Sequence, residues 1–507
     1  MPMRRTVNFL ALLLLVALAF PAGAALAQPA AAAAAAAAAS AGADFNDDGV
    51  TDLAVGVPGE NDFAGAITVL HGAGVTGLSG SGSQLFMQVA GAVEGGDLFG
   101  AALAAGNFNG DAFADLAVGA PGEVAGSAAA AGAVSILYGS PLGLTASGGQ
   151  LFTQVAGAVE EGDLFGSALA AGDFDNDGFA DLAVGAPGEV AGSANAAGAV
   201  SVLRGSAAGL TAAGGRLFTQ VAGAVEQGDQ FGAALAAGDF DSDDFADLAA
   251  GAPGETAGTF AAAGAVSVLR GSGGGLTATG GQLFTQVGAA VEQGDVFGSS
   301  LASGDFNGDA FGDLAAGAPG EVAGSAVAAG ALSVLYGSAG GLSAAGGRLF
   351  TQVGGAVEQS DLFGWSLAAG NFDGDDFDDL AAGAPGETVG AEPLAGAVSV
   401  IRGSGSGLTT AGGRLFTQVG GAVEADDQFG AEVGTGDFDN DDFVDLAVGA
   451  PAEDVSGAFN AGAVSALYGA AGGLSTAGGQ LFTQNSPGVP GGAEDLDSFG
   501  GNFLSAA

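Results

Sequence analysis

The sequence has no cysteine, no lysine and a single histidine, and its eight basic residues are all arginine. The absence of cysteine excludes a disulfide framework, so any cross-linking of the fold must come from another source. Because 56 acidic residues outnumber eight arginines, the formal net charge of the 507-residue chain is −48. A surface of this sign repels phosphate backbones and anionic membranes, so nucleic acid is not an expected partner.

The sequence also lacks a hydrophobic run long enough to span a membrane. Its N-terminal apolar segment, Val7–Phe20, is shorter than the roughly 18–20 residues that a transmembrane helix needs. Two arginines precede this segment and Ala25–Ala27 offers small residues for cleavage, which is typical of a secretory signal peptide. We predict a signal peptide over 1–27, cleaved after Ala27, an Ala-rich linker over 28–43, and a secreted protein with no membrane span.

A long-period repeat fills most of the remaining sequence. A nine-residue acidic segment, represented by DFDNDGFAD at Asp173–Asp181, occurs seven times. The copies begin at Asp44, Asn107, Asp173, Asp239, Asp305, Asn371 and Asp437, with a spacing of 66 residues from the second copy onward. A fixed period of this length predicts similar structural units that stack or surround a common axis.

Each repeat has the pattern of four short β-strands and no helical periodicity. Around the Asp173 copy, strands are predicted at Phe165–Phe174, Asp181–Pro187, Gly198–Gly205 and Gly215–Gly223. Four strands per unit are typical of a β-propeller blade, whereas the turns of a parallel β-helix, the rival interpretation, are shorter. The sequence therefore predicts an all-β propeller.

The two ends of the sequence complement each other and predict a closed ring of seven four-stranded blades. The seventh blade is predicted to combine 499–507 with 44–91, so that the propeller occupies 44–507. Pairing the N- and C-terminal segments in one blade removes the exposed edges of a linear array. The six complete blades are predicted to begin at Phe99, Phe165, Phe231, Phe297, Phe363 and Phe429.

The acidic segments have the chemistry of calcium loops. Asp173, Asp175, Asp177 and Asp181 stand at positions 1, 3, 5 and 9, and Phe179 at position 7 offers a backbone carbonyl. Clustered carboxylates repel each other unless a cation lies among them, and hard oxygen ligands favour Ca²⁺. An EF-hand is excluded because its twelfth position holds Val184 inside a predicted strand.

We therefore predict up to seven Ca²⁺ ions. The candidate ligands are Asp44, Asn46, Asp48, Val50 and Asp52; Asn107, Asn109, Asp111, Phe113 and Asp115; Asp173, Asp175, Asp177, Phe179 and Asp181; Asp239, Asp241, Asp243, Phe245 and Asp247; Asp305, Asn307, Asp309, Phe311 and Asp313; Asn371, Asp373, Asp375, Phe377 and Asp379; and Asp437, Asp439, Asp441, Phe443 and Asp445. Asn replaces Asp at two ligand positions of the Asn107 loop, so this loop is predicted to bind most weakly and the Asp173 loop most tightly. Position 6 is predicted to need a left-handed turn.

The segment FGSALAAGDFDNDGFADLAVGAPGE, Phe165–Glu189, resembles the FG-GAP repeat, which is named for its Phe-Gly and Gly-Ala-Pro ends. The resemblance extends from Asp44 to Phe503 with all elements in register. It implies the seven-bladed propeller of integrin α subunits and of many secreted bacterial proteins, with calcium in the loops between the first and second strands. It also implies adhesion or ligand binding through the opposite face.

The predicted function is a secreted, calcium-binding, non-catalytic module for adhesion or ligand binding. Its partner is an extracellular protein or a glycan, and the chain is predicted to act as a monomer. Two alternatives remain open, a structural component of an extracellular layer and a carbohydrate-active enzyme. No catalytic motif is found, and paired carboxylates that recur seven times do not single out one active site.

For three further sets of residues, the sequence predicts a structural rather than a functional role. Glu residues after each Gly-Ala-Pro, such as Glu189, are predicted on a solvated face, and cationic or metal-bridged partners for them remain an alternative. The third-strand position occupied by Arg204 or Tyr138 is predicted at the surface. The only tryptophan, Trp365, is predicted in the core rather than as a platform for a sugar.

Overall fold

The computed structural model describes residues 43–503, apart from 90 and 156. These residues form seven four-stranded antiparallel sheets, arranged as the blades of a closed β-propeller. The prediction of a seven-bladed propeller is confirmed. The predicted signal peptide, and the predicted linker up to residue 42, lie outside the described residues. No helix in the described part is long and apolar enough to cross a membrane.

Blades 1–6 each contain four consecutive strands, in the order first to fourth across the sheet. The first strands are β4 (Ala102–Gly106), β8 (Ala168–Gly172), β12 (Leu235–Gly238), β16 (Leu301–Gly304), β20 (Leu367–Gly370) and β24 (Glu432–Gly436). The second strands are β5 (Asp115–Ala120), β9 (Asp181–Ala186), β13 (Asp247–Ala252), β17 (Asp313–Ala318), β21 (Asp379–Ala384) and β25 (Asp445–Ala450). The third strands are β6 (Ala133–Tyr138), β10 (Ala199–Arg204), β14 (Ala265–Arg270), β18 (Ala331–Tyr336), β22 (Ala397–Arg402) and β26 (Ala463–Tyr468). The fourth strands are β7 (Thr145–Phe152), β11 (Thr211–Phe218), β15 (Thr277–Phe284), β19 (Ser343–Phe350), β23 (Thr409–Phe416) and β27 (Ser475–Phe482).

Blade 7 joins the two ends of the described chain. It contains β1 (Leu53–Val57), β2 (Ala66–Gly72), β3 (Leu78–Phe86) and the C-terminal strand β28 (Asn502–Phe503). A helical turn at Glu60–Phe63 follows β1, and a 3-10 turn at Gly74–Thr76 follows β2. Strand β28 pairs antiparallel with β1, with Phe503 opposite Val55. This pairing closes the ring without leaving a strand edge between the ends.

The hydrophobic core lies between the blades. The second strand β9, for example, is buried at all six positions because both faces of its sheet pack against neighbouring sheets. One buried cluster combines Val134 and Ile136 of blade 1 with Phe165 and Leu182 of blade 2. Equivalent clusters join each of the other adjacent pairs, including blade 7 with blade 1. The repeated Phe-Gly sequence therefore serves packing, as its periodicity predicted.

A glycine before each third strand lets neighbouring blades approach closely. Gly198 has φ of +80°, and a Cβ there would lie 2.2 Å from the carbonyl oxygen of Phe231 in the next blade. The Phe231 N–H donates to the Ala197 carbonyl oxygen over 2.9 Å. Only a residue without a side chain fits this backbone contact, which fixes the position of each Phe-Gly segment against the preceding blade.

Candidate metal centre

All seven acidic segments lie in the loops that lead into the second strand, on one face of the ring. We call this the acidic-loop face. In the Asp173 loop, Asp173 accepts hydrogen bonds from the N–H groups of Asp177 at 3.1 Å and Gly178 at 2.9 Å. Asp177 in turn accepts from the Phe179 N–H at 3.0 Å. These local bonds wrap the backbone around the carboxylates, so that their oxygens point inward.

The aspartate at position 9 connects each loop to the third strand of its blade. Asp181 is 1% exposed, and its Oδ1 accepts a 2.8 Å hydrogen bond from the N–H of Gly205, which follows β10. The corresponding bond is present in all seven loops, at 2.7–3.1 Å. Burial raises the pKa of Asp181 to about 7 and that of Asp445 to about 8. These carboxyl groups are therefore anchored and dehydrated, and burial disfavours their charged form unless a positive charge lies beside them.

Three loops bring carboxylates close enough to hold one ion. Three carboxylate oxygens lie within 4.8 Å of one another in each, and the groups are Asp173, Asp175 and Asp177; Asp239, Asp241 and Asp243; and Asp437, Asp439 and Asp445. These are the loops with Asp at all four ligand positions. The other four loops, which carry Asn at position 1 or 3, hold no such group among the described residues. The Asn107 loop has only two carboxylates at its ligand positions, Asp111 and Asp115, whereas the other three loops retain three carboxylates that do not converge within this distance.

Buried oxygens without a hydrogen-bond partner show that these loops suit a cation. They include Asp175 Oδ1 and Asp181 Oδ2 in one loop, Asp241 Oδ1 in the next and Asp439 Oδ1 in the Asp437 loop. A buried acceptor without a donor is costly, and a metal ion satisfies it. Oxygen ligands from carboxylates fit Ca²⁺ in particular.

The predicted position-7 residues all lie beside the position-5 aspartate. Each donates its backbone N–H to that side chain, at 2.8–3.1 Å, and the residues are Val50, Phe113, Phe179, Phe245, Phe311, Phe377 and Phe443. Their carbonyl groups as calcium ligands remain a prediction. The N–H bonds place this residue at the end of the turn, next to the cluster.

The prediction of a left-handed residue at position 6 holds in five loops and is wrong in two. Gly178 and even Ala310 have positive φ, at 89° and 67°. Position 4 has positive φ in all seven loops, including 72° at Gly110 and 71° at Gly374, so the Asn107 and Asn371 loops differ in lacking the second left-handed residue at position 6. The reason is that Asn, unlike Asp, donates a hydrogen bond: Asn107 Nδ2 contacts the Asp111 carbonyl oxygen at 2.6 Å and draws the loop into another shape.

In four of the seven blades, the third-strand position predicted at the surface is part of the site. Arg204, Arg270 and Arg402 direct a guanidinium group onto the position-3 aspartates Asp175, Asp241 and Asp373. In blade 7, His71 contacts Asp52 at 3.0 Å. This position directly precedes the glycine that binds the position-9 aspartate, a neighbourhood that could have indicated its role.

The glutamates after each Gly-Ala-Pro lie on the opposite face, as predicted, but they are not solvated. Glu189 is 7% exposed and Glu387 6%. They lie between blades, where the amide group of a glutamine from the preceding blade contacts them, as Gln154 contacts Glu189 at 2.7 Å. Trp365 is partly buried, so its environment is intermediate between the predicted core position and an exposed platform for a sugar.

Comparison with known proteins gives a consistent result. The FG-GAP repeat matches at residues 35–70, 99–137, 165–203, 231–269, 297–335, 363–401 and 429–467. Integrin alpha-V of Gallus gallus is 32% identical over 216 residues, which are 41% of this chain and 19% of that protein. Integrin alpha-5 of Xenopus laevis is 31% identical over 217 residues, again 41% and 19%.

A second kind of relative is phosphatidylinositol-glycan-specific phospholipase D of Rattus norvegicus, 41% identical over 110 residues, or 21% of this chain and 13% of the enzyme. The chain thus spans less than a fifth of the length of these relatives. Among solved structures, a rhamnogalacturonan lyase of Bacillus licheniformis superposes with a TM-score of 0.34 and 12% identity, over 83% of this chain and 60% of that one. So distant a match bears on neither the fold nor the function.

Proposed function

The chain belongs to the FG-GAP repeat family and has an integrin-alpha-like propeller, and from this premise we propose that it is a secreted module that binds Ca²⁺ on one face and a protein ligand on the other. The observation that carries the calcium proposal is the cluster of three carboxylates at Asp173, Asp175 and Asp177, together with buried oxygens of Asp175 and Asp181 that accept no hydrogen bond. Calcium would supply the positive charge that this cysteine-free, acidic chain lacks. The proposal includes cleavage after Ala27 and a propeller that begins at Asp44.

The opposite face has the features of a binding surface. Its loops between second and third strands expose Phe260, Val327, Leu394 and Phe459, at 38–56% of their surface, in four consecutive blades. We call these four residues the apolar ridge. Isolated exposed apolar residues are common, but a row of them on corresponding loops is typical of a contact surface for another molecule.

Charge around the apolar ridge indicates the type of ligand. The loops before each Phe-Gly on this face expose acidic side chains, namely Glu226, Glu292, Glu358 and Glu424. An apolar strip among carboxylates complements a protein surface with apolar and basic side chains. It suits a neutral glycan less well, because stacking platforms for sugars are aromatic and the ridge holds two phenylalanines separated by aliphatic residues.

A binding experiment with matched variants tests this proposal. The mature chain would be immobilised and offered extracellular proteins and soluble polysaccharides, in calcium and then in EDTA. We expect protein retained in calcium, lost with Phe260→Ser/Phe459→Ser, and kept with Val75→Ser/Leu142→Ser, which removes two exposed apolar side chains from the acidic-loop face.

Three outcomes would contradict the proposal. If the Phe260→Ser/Phe459→Ser variant still retains the protein partner, the apolar ridge is not the binding surface. Release of soluble sugar from the polysaccharides would favour the carbohydrate-active enzyme. Assembly of the chain into sheets in calcium, without retention of any partner, would favour the structural component of an extracellular layer.

A further inference from the structure

A second set of polar groups is buried between the blades, at the opposite end from the acidic loops. Each set combines a glutamine that follows a fourth strand, an aspartate two residues before Phe-Gly of the next blade, and the glutamate that follows that blade's second strand. We call each set an interblade junction. The seven junctions are Gln88, Asp97 and Glu123; Gln154, Asp163 and Glu189; Gln220, Asp229 and Glu255; Gln286, Asp295 and Glu321; Gln352, Asp361 and Glu387; Gln418, Asp427 and Glu453; and Gln484, Asp497 and Glu60.

The backbone forces the two acidic residues of a junction together. In blade 5, the Gly386 N–H donates to the carbonyl oxygen of Asp361 at 3.1 Å. A Cβ at Gly386 would lie 1.8 Å from the Ser360 carbonyl oxygen, so glycine permits this close contact, whereas blade 6 has Ala452 at the same position and a longer bond of 3.4 Å to Asp427. Glu387 follows directly and is thereby held beside Asp361.

The carboxyl groups face each other with little to satisfy them. Asp361 Oδ2 accepts a 2.5 Å bond from the Glu358 N–H, but Asp361 Oδ1 has no partner. Glu387 Oε2 and both amide atoms of Gln352, Oε1 and Nε2, are also buried and unpartnered. The Asp361 and Glu387 side chains lie within hydrogen-bonding reach of each other, although two ionised carboxylates offer no proton to share.

The other six junctions keep the buried acceptor oxygens but differ in one contact, because there the glutamine Nε2 donates to the glutamate Oε2 at 2.7–3.0 Å. The aspartate Oδ1 is buried without a partner at Asp163, Asp229, Asp295 and Asp361, and each of these residues is at most 1% exposed. The Oε1 atom lacks a partner in all seven junction glutamines. Within the described residues, the ion pairs of arginine and histidine all lie at the acidic loops, so none reaches a junction.

Two carboxylates and an amide oxygen, with no positive group, form a donor set for a hard cation. Repulsion between two buried carboxylates is large because the surroundings screen it poorly. We propose that the interblade junctions are a second ring of metal sites, distinct from the acidic loops, and that each binds a divalent cation such as Ca²⁺ or Mg²⁺. The ion connects two blades, because the glutamine belongs to one and both acids to the next.

The single tryptophan permits a test at one junction. Trp365 lies four residues after Asp361. Its backbone N–H donates to the carbonyl oxygen of Gly383 at 3.3 Å, and Gly383 lies four residues before Glu387. Terbium(III) replaces calcium and luminesces when a nearby tryptophan absorbs light. We expect tryptophan-sensitised luminescence from the full chain and its loss in Asp361→Asn/Glu387→Gln. The matched control, Asp375→Asn/Asp379→Asn in the acidic loop of the same blade, is expected to keep the signal.

Thermal unfolding supplies a second readout. The junction variant is isosteric and removes the repulsion, so in EDTA it is expected to melt at the same temperature or higher. In calcium it is expected to gain less than the unmodified chain. An undiminished gain would show that a shared proton satisfies the pair, and would overturn the proposal.

The test separates this proposal from calcium binding in the acidic loops. Calorimetry of Asp177→Ala reports on the Asp173 loop alone. If that variant loses calcium while the junction variant keeps its luminescence, the acidic loop stands and the junction proposal fails. If the junction variant loses luminescence while Asp177→Ala binds calcium unchanged, the junction proposal stands and calcium binding by the Asp173 loop fails.

Discussion

The N–H of Gly205 donates a 2.8 Å hydrogen bond to Oδ1 of Asp181, from the end of the third strand to the start of the second. This bond closes the acidic loop against its own sheet, and the other six blades repeat it. Because Asp181 is also a predicted metal ligand, one residue connects the ion site to the blade. The fold and the site therefore depend on each other.

Replacing Asp181 separates its two roles. Asp181→Ala leaves the Gly205 N–H without an acceptor, and an unsatisfied buried donor costs about 1–3 kcal/mol. Asp181→Asn keeps an acceptor oxygen and removes a dehydrated charge. We expect urea denaturation in EDTA to show the Ala variant less stable than the Asn variant by about that amount. Equal stability of the two would contradict the structural role of the bond.

Removal of calcium should lower the stability of the whole ring. An ion that binds only the folded form stabilises it by about 2.7 kcal/mol per site at 100 times its dissociation constant. We expect the melting temperature to fall in EDTA and to recover with calcium. Sodium chloride at equal ionic strength is the control for general screening of the −48 charge. A melting temperature that does not respond to chelation would contradict calcium binding.

Much of the fold and of the acidic loops could be predicted, because the same pattern is repeated seven times in the sequence. Seven copies of one pattern fix the number of blades, and ligand spacing within nine residues needs no tertiary information. Contacts between distant segments could not be predicted. Arg204 reaches Asp175 across 29 residues, and Glu189 is buried by Gln154 of the preceding blade. Which segments meet is decided by the packing of blades, which no local pattern shows.

Calcium affinity should differ between loops. Asp173, Asp175 and Asp177 converge within 4.8 Å, whereas the Asn107 loop offers Asp111 and Asp115 as its carboxylates. We expect Asp177→Ala to remove the tightest calcium-binding step in calorimetry. Asp111→Ala, the matched change in the weaker loop, should leave the tight phase unaltered. Equal losses in the two variants would refute the ranking.

The guanidinium group of Arg204 should compete with calcium. It contacts Asp175 and also the carbonyl oxygen of Gly274 in the next blade. Arg204→Gln removes a positive charge from the cluster, so we expect calcium to bind this loop several-fold more tightly, which corresponds to about 1 kcal/mol. In EDTA the same variant should be less stable, because Asp175 loses its counter-charge.

Arg216→Gln is the matched control for that experiment. Arg216 carries the same charge but donates to the Leu276 carbonyl oxygen at 2.8 Å. It forms no ion pair among the described contacts. If the two variants change calcium affinity equally, the effect of Arg204 is one of net charge alone and its contact with Asp175 has no part in it.

The interblade junctions should make the metal-free protein sensitive to pH. Burial, together with the neighbouring carboxyl groups of Asp361 and Glu358, raises the pKa of Glu387 to about 7, and the nearby Gln352 amide acts in the opposite direction. A carboxyl group whose pKa is raised by folding stabilises the fold fully at pH values below its ordinary pKa, which is 4.5 for Glu387. This contribution is lost as the pH rises through about 7. In EDTA we therefore expect the free energy of unfolding to decrease between pH 5 and pH 8, and Glu387→Gln to decrease it less steeply. Stability that rises over this range, or an identical slope in the variant, would show that these carboxyl groups are already neutralised by another means.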